Sequence, residues 1–530
     1  MFLTRLLHAV WLAVCASCCL LVATLYFYPF GIATASASVF TPSTMLEVPN
    51  KQAFQVTVVA TPASLNPQRN AMLQAQPAAT APVVGPAPTF MPVIFAHYRP
   101  QAPRMGIALE GFTAAAGLRE TLALGARWGR RWREIAWREV EPKEGEFHWD
   151  VLAGLEAELT QAAAVGLEPI LDIQMTPEWA QKFPPYACGT IKTEKLGAFA
   201  NFVEQLVKRY GTATPYGVRY WQLGNEPDIA PGIVGADSVF GCWGDQNDAY
   251  YGGGQYVEML KVVYPRVKAA DANAQIMLAG LLLECDPYTM KAGVDCANEE
   301  RLHSGLFLEG VMKAGGGDFF DIADVHVYGE LRMDLPARMH SYYFWSGPNG
   351  GTGLPEKVAL MRKVMTEYGF PQKPIFAGEV ALKCEIASDD CDQVGAAFIP
   401  RVYSEAYGLG LLGASYYALI SEFKFKGLLK PDLTPKPAYY AYEFMSSQLH
   451  SVEYVGPVTV YPGVSGQTFK QSGISRLQII WSTTGEDQTV ILPDDFVQAY
   501  DRYGNAVQSE NGQIVVNWAP LYLKLKFTNK

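Results

Sequence analysis

Two glutamates stand in apolar, β-rich segments that are far apart in the chain. Glu226 closes the segment VRYWQLGNE and is followed at once by Pro227, which breaks a strand, and Glu379 lies in PIFAGEVALKC. Hydrolysis of a glycosidic bond usually needs two flanking carboxyl groups, one protonated and one ionised. The pair therefore predicts acid–base and nucleophilic chemistry, provided that the fold brings the two side chains together.

The strands and helices that could bring the two glutamates together are indicated by the pattern after Met105. Short β-rich runs alternate there with longer segments of helical period. Eight strand candidates, each followed by a helix candidate, predict an α/β fold of the (β/α)8 TIM barrel type over residues 104–450. In such a barrel the fourth and seventh strands, which carry Glu226 and Glu379, face one another. The alternative is a doubly wound sheet, which would show a Gly-rich phosphate loop after the first strand, and GFTAAAG does not match one.

The segments on either side of the barrel have a different composition. Residues 1–38 contain an apolar run that ends in ATASAS, which predicts either a signal peptide or an uncleaved transmembrane anchor, and the length of the run favours the anchor. Residues 39–103 form an Ala/Pro-rich linker, and residues 451–530 show the short alternating strands of a small antiparallel β domain. We therefore expect an exported protein, located outside the cell or on its surface, that contacts the membrane if the N-terminal segment is not cleaved.

Charge and cysteine content narrow the class further. The net charge of −10 argues against nucleic acid as a partner, because no basic stripe is present to neutralise phosphates. Three of the nine cysteines lie in the N-terminal apolar segment. The other six suit disulfides in an oxidising compartment. Cys285 with Cys296, and Cys384 with Cys391, are close enough in sequence to close single loops, which would leave Cys188 for Cys242, although the sequence does not prove the pairing. Among the six cysteines outside that segment, no CxxC pair and no nearby histidine cluster suggests a metal site, and we expect neither a metal nor an organic cofactor.

Several motifs between Met105 and His450 resemble clan A of the glycoside hydrolases. They are Asn-Glu on the fourth strand, a Glu on the seventh, WREVEPKEGEFHWD after the second, TPEWA after the third, VHVYG on the sixth, and KPAYYAYEFM in the last helix. TPEWA and the trailing β domain most resemble glycoside hydrolase family 39, which includes xylosidases, iduronidases and bacterial exopolysaccharide hydrolases.

The resemblance implies a role for each matching residue. Glu226 would be the catalytic acid/base, and Asn225 would bind the 2-hydroxyl of the sugar. Glu379 would be the nucleophile, and His326 and Tyr328 would line the sugar site from the sixth strand.

The nucleophile must stay ionised, and hydrogen-bond donors near it would help. Tyr328 is one expected donor, and an arginine on the second strand is the other. Arg131 and Arg133 are both candidates, because residues two apart share one face of a strand. The sequence does not decide between them.

Aromatic side chains are expected to stack on the sugar rings. Trp179 and Trp243 follow the third and fourth strands and are the favoured platforms. Many clan relatives place a Trp on the eighth strand as the floor of the site. This chain has SYYAL there, so Tyr416 is expected in that place, with Tyr417 as the alternative.

These features predict a retaining glycoside hydrolase that acts on an extracellular poly- or oligosaccharide through a covalent glycosyl-enzyme. The same carboxyl pair could transfer the sugar to another sugar, so a transglycosylase is one alternative. A non-catalytic carbohydrate-binding or surface scaffold protein on the same barrel is another, and it would need neither glutamate.

Overall fold

The computed structural model describes residues 104–288, 304–332, 339–341, 345, 350–384, 388–421, 427–471 and 475–526. The predicted signal peptide or anchor and the linker lie outside these residues. Within the described part of the chain, no helix is both long enough and apolar enough to cross a bilayer.

The larger sheet is built from strands that pair in parallel, with one antiparallel addition. Its strands are β1 (Arg104–Leu109), β2 (Trp128–Ala136), β3 (Glu168–Gln174), β4 (Tyr220–Leu223), β5 (Gln275–Met277), β6 (Ala323–Leu331), β7 (Met339–Ser341), β8 (Ile375–Lys383) and β9 (Gly413–Tyr416). The order is β5-β4-β3-β2-β1-β9-β8-β6-β7, and β7 is the strand that pairs antiparallel.

The parallel strands close on themselves. Parallel bridges join Met277 to Ile322 and Leu281 to Val325, so the end of the sheet at β5 pairs with the chain at β6. The predicted α/β fold with a parallel sheet is confirmed, and its closure distinguishes it from an open doubly wound sheet. Among the described residues, β8 and β9 are the seventh and eighth parallel strands.

Helices cover the outside of this sheet, as its apolar strands require. They are α1 (Leu118–Ala123), α2 (Trp137–Val140), α3 (Ala153–Val165), α4 (Leu196–Tyr210), α5 (Gly253–Ala270), α6 (Phe307–Lys313), α7 (Leu354–Glu367), α8 (Asp389–Gly408) and α9 (Pro437–Leu449). In α4, Phe199, Val203 and Leu206 recur at helical spacing and are buried, whereas Lys208 is exposed. The alternation of β-rich and helical segments in the sequence therefore corresponds to the observed elements.

The predicted C-terminal antiparallel sheet is also confirmed. Its strands are β10 (Glu453–Pro457), β11 (Val464–Gln471), β12 (Ser475–Ser482), β13 (Gln488–Ile491), β14 (Phe496–Tyr500), β15 (Ala506–Val507), β16 (Gln513–Val516) and β17 (Leu521–Lys526). In the described chain, β13 pairs with β16 and the remaining strands form one sheet. The sheet packs on α8 and α9, where the Arg401 guanidinium lies 5.0 Å from the Trp481 ring centre and Phe444 lies 4.9 Å from Tyr522.

Disulfides join loops at the carboxyl ends of the barrel strands. Cys188–Cys242 connects the loop after β3 to the loop after β4, and Cys384–Cys391 connects the end of β8 to α8, as predicted. Cys285 is also disulfide-bonded, and its predicted partner Cys296 lies outside the described residues.

Candidate active site

Glu226 and Glu379 come together at the carboxyl ends of the strands. A carboxylate oxygen of each glutamate and a ring nitrogen of His326 all lie within 4.8 Å of one another. The two glutamates are 7% and 4% exposed. Glu379 lies opposite His326 in the pairing of β8 with β6, just after a shift in register. The irregular pairing and the loop after β4 therefore position side chains that are distant in sequence.

Charged and phenolic donors surround Glu379. Arg130 Nη1 donates to Glu379 Oε1 at 2.6 Å, and the Tyr328 hydroxyl donates to Glu379 Oε2. Although burial works in the opposite direction, the carboxyl groups of Glu379, Asp172 and Asp324 raise the pKa of Arg130. The guanidinium therefore remains a permanent positive charge against Glu379.

The sequence predicted Arg131 or Arg133 as the arginine that donates to Glu379, and this was wrong, because the donor is Arg130. Arg131 Nε donates to Glu158 Oε2 at 2.8 Å, and Arg133 lies in an exposed ion pair with Glu110. The inward face of β2 begins at Trp128, which packs with other side chains inside the barrel, so Arg130 has the inward phase and Arg131 the outward one. A shift in register between Arg131 and Ile135 then interrupts the period of two.

The surroundings of Glu226 carry less positive charge. His326 Nδ1 lies 2.8 Å from Glu226 Oε1, and the Tyr328 hydroxyl oxygen lies 3.2 Å from the same carboxyl oxygen. Burial raises the pKa of Glu226 to about 7, although Tyr328, Lys357 and Arg130 oppose the shift. Burial also lowers the pKa of His326 to about 3, so the imidazole is neutral. Glu226 can therefore hold a proton near neutral pH.

A buried lysine and a buried aspartate lie behind Glu226, and the sequence did not point to either. Lys357 Nζ, from α7, donates to the carbonyl oxygens of His326 at 2.8 Å and Leu282 at 2.5 Å. Asp228 accepts the backbone N–H groups of Leu282 at 3.0 Å and Leu283 at 2.7 Å. Burial lowers the pKa of Lys357 to about 8. The one available signal is a lysine on the apolar face of a helix.

A second group missed by the sequence lies beneath Arg130. Arg130 Nε donates to Gln222 Oε1 at 2.9 Å, and Arg130 Nη2 donates to Asn225 Oδ1 at 3.0 Å. Gln222 Nε2 in turn donates to Asp324 Oδ2 at 2.6 Å. Gln222 lies on β4 just ahead of Glu226, and Asp324 lies on β6 just ahead of His326, so a polar residue inside an apolar strand was the available signal.

The two predicted aromatic platforms, Trp179 and Trp243, pack against the apolar core. The Trp179 indole N–H donates to the carbonyl of Glu141 at 3.2 Å, and its ring packs against the hydrophobic core. Trp243 is buried against Tyr256, with ring centres 5.3 Å apart. Because indole and phenol rings bury large apolar areas, these side chains serve the core instead.

On the eighth parallel strand, the structure favours the alternative tyrosine. Tyr416 is fully buried, and burial together with the charge of Asp392 on α8 raises its pKa. Tyr417 packs with Tyr328. Burial raises the pKa of Tyr417, Glu379 and Glu226 add to the shift, and Arg130 opposes it, which locates the phenol near the carboxyl pair. Successive residues of a strand point to opposite faces, and the phase places Tyr417 inward.

Glu226, His326 and Glu379 also have the atom types and spacing that could bind a metal ion. Both oxygens of Glu379 already accept hydrogen bonds, from Arg130 and Tyr328, and Glu226 Oε1 is engaged by His326. A bound cation would also lie beside the permanent charge of Arg130. The donor set therefore fits a pair of reacting carboxyl groups better than a metal centre.

No protein-family model and no curated protein sequence matches the chain. Among solved structures, a family 39 glycoside hydrolase from the gut symbiont Bacteroides cellulosilyticus WH2 is similar, with 20% identity, a TM-score of 0.60 and coverage of 80% of this chain and 81% of its own. A conserved exported protein from Bacteroides fragilis has 11% identity, a TM-score of 0.55 and coverage of 80% and 98%. A monomeric β-xylosidase from Caulobacter crescentus CB15 has 16% identity, a TM-score of 0.49 and coverage of 81% and 96%. The first likeness confirms that the chain shares its fold with a family 39 member, as the sequence resemblance predicted.

Proposed function

We propose that this protein is a retaining glycoside hydrolase that cleaves a poly- or oligosaccharide by double displacement. The observation that carries the proposal is the pair Glu226 and Glu379, whose oxygens approach within 4.8 Å. Retaining glycosidases separate their carboxyl groups by about 5–5.5 Å, whereas inverting enzymes leave about 6.5–9.5 Å for a water molecule. The short separation supports retention.

The surroundings of the two carboxyl groups support distinct roles. Glu379, with Arg130 and Tyr328 as donors, attacks the anomeric carbon and forms the glycosyl-enzyme. Glu226, with its pKa raised to about 7, gives its proton to the departing oxygen and then takes a proton from the attacking water. Asn225, with Oδ1 bonded to Arg130, is oriented so that its Nδ2 can donate to the sugar 2-hydroxyl.

The fold shared with a family 39 glycoside hydrolase also supports the proposal. The place of action outside the cell, or on its surface through the N-terminal segment, is proposed from the sequence of residues 1–38. The substrate is accordingly a carbohydrate that the protein meets outside the cytoplasm.

The test uses the full-length protein and a panel of aryl glycosides and polysaccharides, with wild type beside Glu379→Ala. We expect the wild type to release sugar, the variant to lose that activity, and azide to restore part of it by replacing the nucleophile. Product analysis separates hydrolysis from transfer to a second sugar. If wild type and variant bind a glycan equally and neither cleaves any glycoside, the protein is a carbohydrate-binding module instead.

A further inference from the structure

A chain of hydrogen bonds inside the barrel connects Asp324 to Glu379. It runs from Asp324 Oδ2 to Gln222 Nε2 (2.6 Å), from Gln222 Oε1 to Arg130 Nε (2.9 Å), and from Arg130 Nη1 to Glu379 Oε1 (2.6 Å). Asp324 and Gln222 are fully buried, and Arg130 is 2% exposed. Water therefore does not compete for these groups, and each bond depends on its partner being correctly oriented.

Arg130 determines which groups donate and which accept along this chain of hydrogen bonds. A guanidinium only donates hydrogen bonds, so Gln222 must turn its carbonyl oxygen toward Arg130. Its amide NH2 then faces Asp324, which must accept. If the Gln222 amide were reversed, two donors would meet at Arg130, and an unsatisfied buried donor is costly.

Asp324 also contacts the strand that carries Glu379. The Gly378 N–H donates to Asp324 Oδ1 at 2.6 Å, immediately before Glu379. A Cβ atom at Gly378 would overlap Asp324 Oδ2, so the close approach depends on the missing side chain. Asp324 thus reaches Glu379 by two routes, through the backbone of β8 and through Gln222 and Arg130.

We propose that Asp324 is a positioning residue that orients Arg130, and through it Glu379 and the Asn225 amide, for the displacement at the sugar. Arg130 transmits the orientation because its three nitrogens bond to Gln222, Glu379 and Asn225. The inference rests on the proposed function and adds a residue that does not itself touch the substrate.

The test exchanges the amide and the carboxylate between the two positions. In Asp324→Asn the new amide must accept from both Gly378 and Gln222 but has one oxygen, so one donor is left facing another. In Gln222→Glu a second carboxylate lies against Asp324, where the present contact is 2.6 Å. In the double variant, the new amide at position 324 accepts from Gly378 and donates to the new carboxylate at position 222. That carboxylate also accepts from Arg130, and the net charge is that of the wild type.

The activity is measured as kcat and KM on the 4-nitrophenyl glycoside that the wild type hydrolyses fastest, per folded molecule as judged by thermal unfolding. We expect each single variant to lose about 10- to 100-fold in kcat with little change in KM, because small misplacements at a reacting group have effects of that order. The double variant should return to within about 10-fold of wild type, since strong coupling is expected between residues in one network.

Asp321→Asn is the matched control. Asp321 precedes β6, accepts the Ile276 N–H at 2.7 Å and pairs with Lys268, far from the carboxyl pair in the hydrogen-bond network. We expect a lower unfolding temperature and an unchanged kcat, which is the signature of a purely structural role.

Three results for the double variant would overturn the positioning role: a loss of kcat equal to the product of the single losses, an unfolded protein, or an inactive one. An Asp324→Asn enzyme with wild-type kcat would also overturn it. Failure of the proposed function gives a different result, since the wild type itself would then cleave no glycoside, and the positioning role would fall with it.

Discussion

Glu226 and Glu379 are the same residue type, are buried to a similar degree and lie in one cluster, but their neighbours differ in charge. Glu379 accepts hydrogen bonds from a guanidinium and a phenol, whereas Glu226 lies against a neutral imidazole, with the lysine bonded to backbone carbonyls behind it. The permanent positive charge of Arg130 lies against Glu379. At Glu226, burial raises the pKa to about 7.

The difference shows how one fold can place two glutamates in different electrostatic surroundings. The side chains contribute identical carboxyl groups, whereas β2 places the Arg130 guanidinium against Glu379 and β6 places the neutral His326 imidazole against Glu226. Changes that exchange or remove those groups should therefore affect the two glutamates unequally.

The largest expected effect is the loss of kcat when either glutamate is removed, and its dependence on the leaving group separates the nucleophile from the acid/base. Glu379→Ala should lose about 10⁴-fold in kcat on every aryl glycoside, because the nucleophile acts in each case. Glu226→Ala should lose about 10²- to 10⁴-fold on a phenyl glycoside, where protonation is needed, and far less on a dinitrophenyl glycoside. Rates across a series of leaving groups check this, and parallel losses for both variants would contradict the assignment.

Removing the positive charge beside Glu379 should cause a smaller loss of kcat. Arg130→Met is expected to lower kcat by about 10²- to 10³-fold, the usual range for removal of one donor in a site that stabilises charge. Arg131→Met is the matched control, since it removes the neighbouring guanidinium that pairs with Glu158. It should lower the unfolding temperature and leave kcat unchanged. If Arg131→Met lost as much kcat as Arg130→Met, the assignment of the donor role to Arg130 alone would be contradicted.

Stability should change in opposite directions for the two glutamine variants. Glu226 has a folded-state pKa of about 7 against an ordinary value of 4.5, so folding favours its protonated form and stability falls as the pH rises from 4.5 to 7. Glu226→Gln escapes that loss and should be more stable at pH 8 by at most about 3 kcal/mol, with no gain at pH 4. Glu379→Gln removes the charged partner of Arg130 and should cost about 3–5 kcal/mol. Denaturant unfolding at both pH values measures this, and a destabilised Glu226→Gln at pH 8 would contradict it.

The smallest effect is a shift in the pH profile. The positive charge of Lys357 opposes the rise in the pKa of Glu226, so Lys357→Met should raise that pKa further. Activity requires protonated Glu226, and the alkaline limb of kcat/KM should therefore move to higher pH by less than about one unit. Lys363→Met, an exposed lysine on the same helix, is the control and should leave the limb in place. A limb that moves to lower pH in the Lys357 variant would show that its charge does not act on Glu226.

Much of the architecture was predictable because its signals are local. The alternation of β-rich runs with helical segments predicted the parallel sheet, and the short alternating strands after residue 450 predicted the second sheet. The short separation of Cys384 and Cys391 predicted their disulfide, and Cys188–Cys242 followed as the pair that remained.

The candidate site was predictable in its two glutamates and in His326 and Tyr328, which the structure brings into one cluster. The prediction missed the arginine by one position. The inward or outward phase of β2 depends on its pairing with β1 and β3, and the sequence WGRRWRE permits either phase. The choice between Tyr416 and Tyr417 depended on the phase of β9 in the same way.

The sequence by itself determined the kinds of elements, their order and the carboxyl groups that meet at the ends of the strands, because periodicity and strand ends are properties of neighbouring residues. Tertiary structure alone decided that Arg130 faces Glu379, that Lys357 is buried behind Glu226, and that Asp324 and Gln222 join one hydrogen-bond chain. Those facts depend on register, bulges and burial, which arise only when strands distant in sequence pair. The same long-range contacts give two identical glutamates their different neighbours.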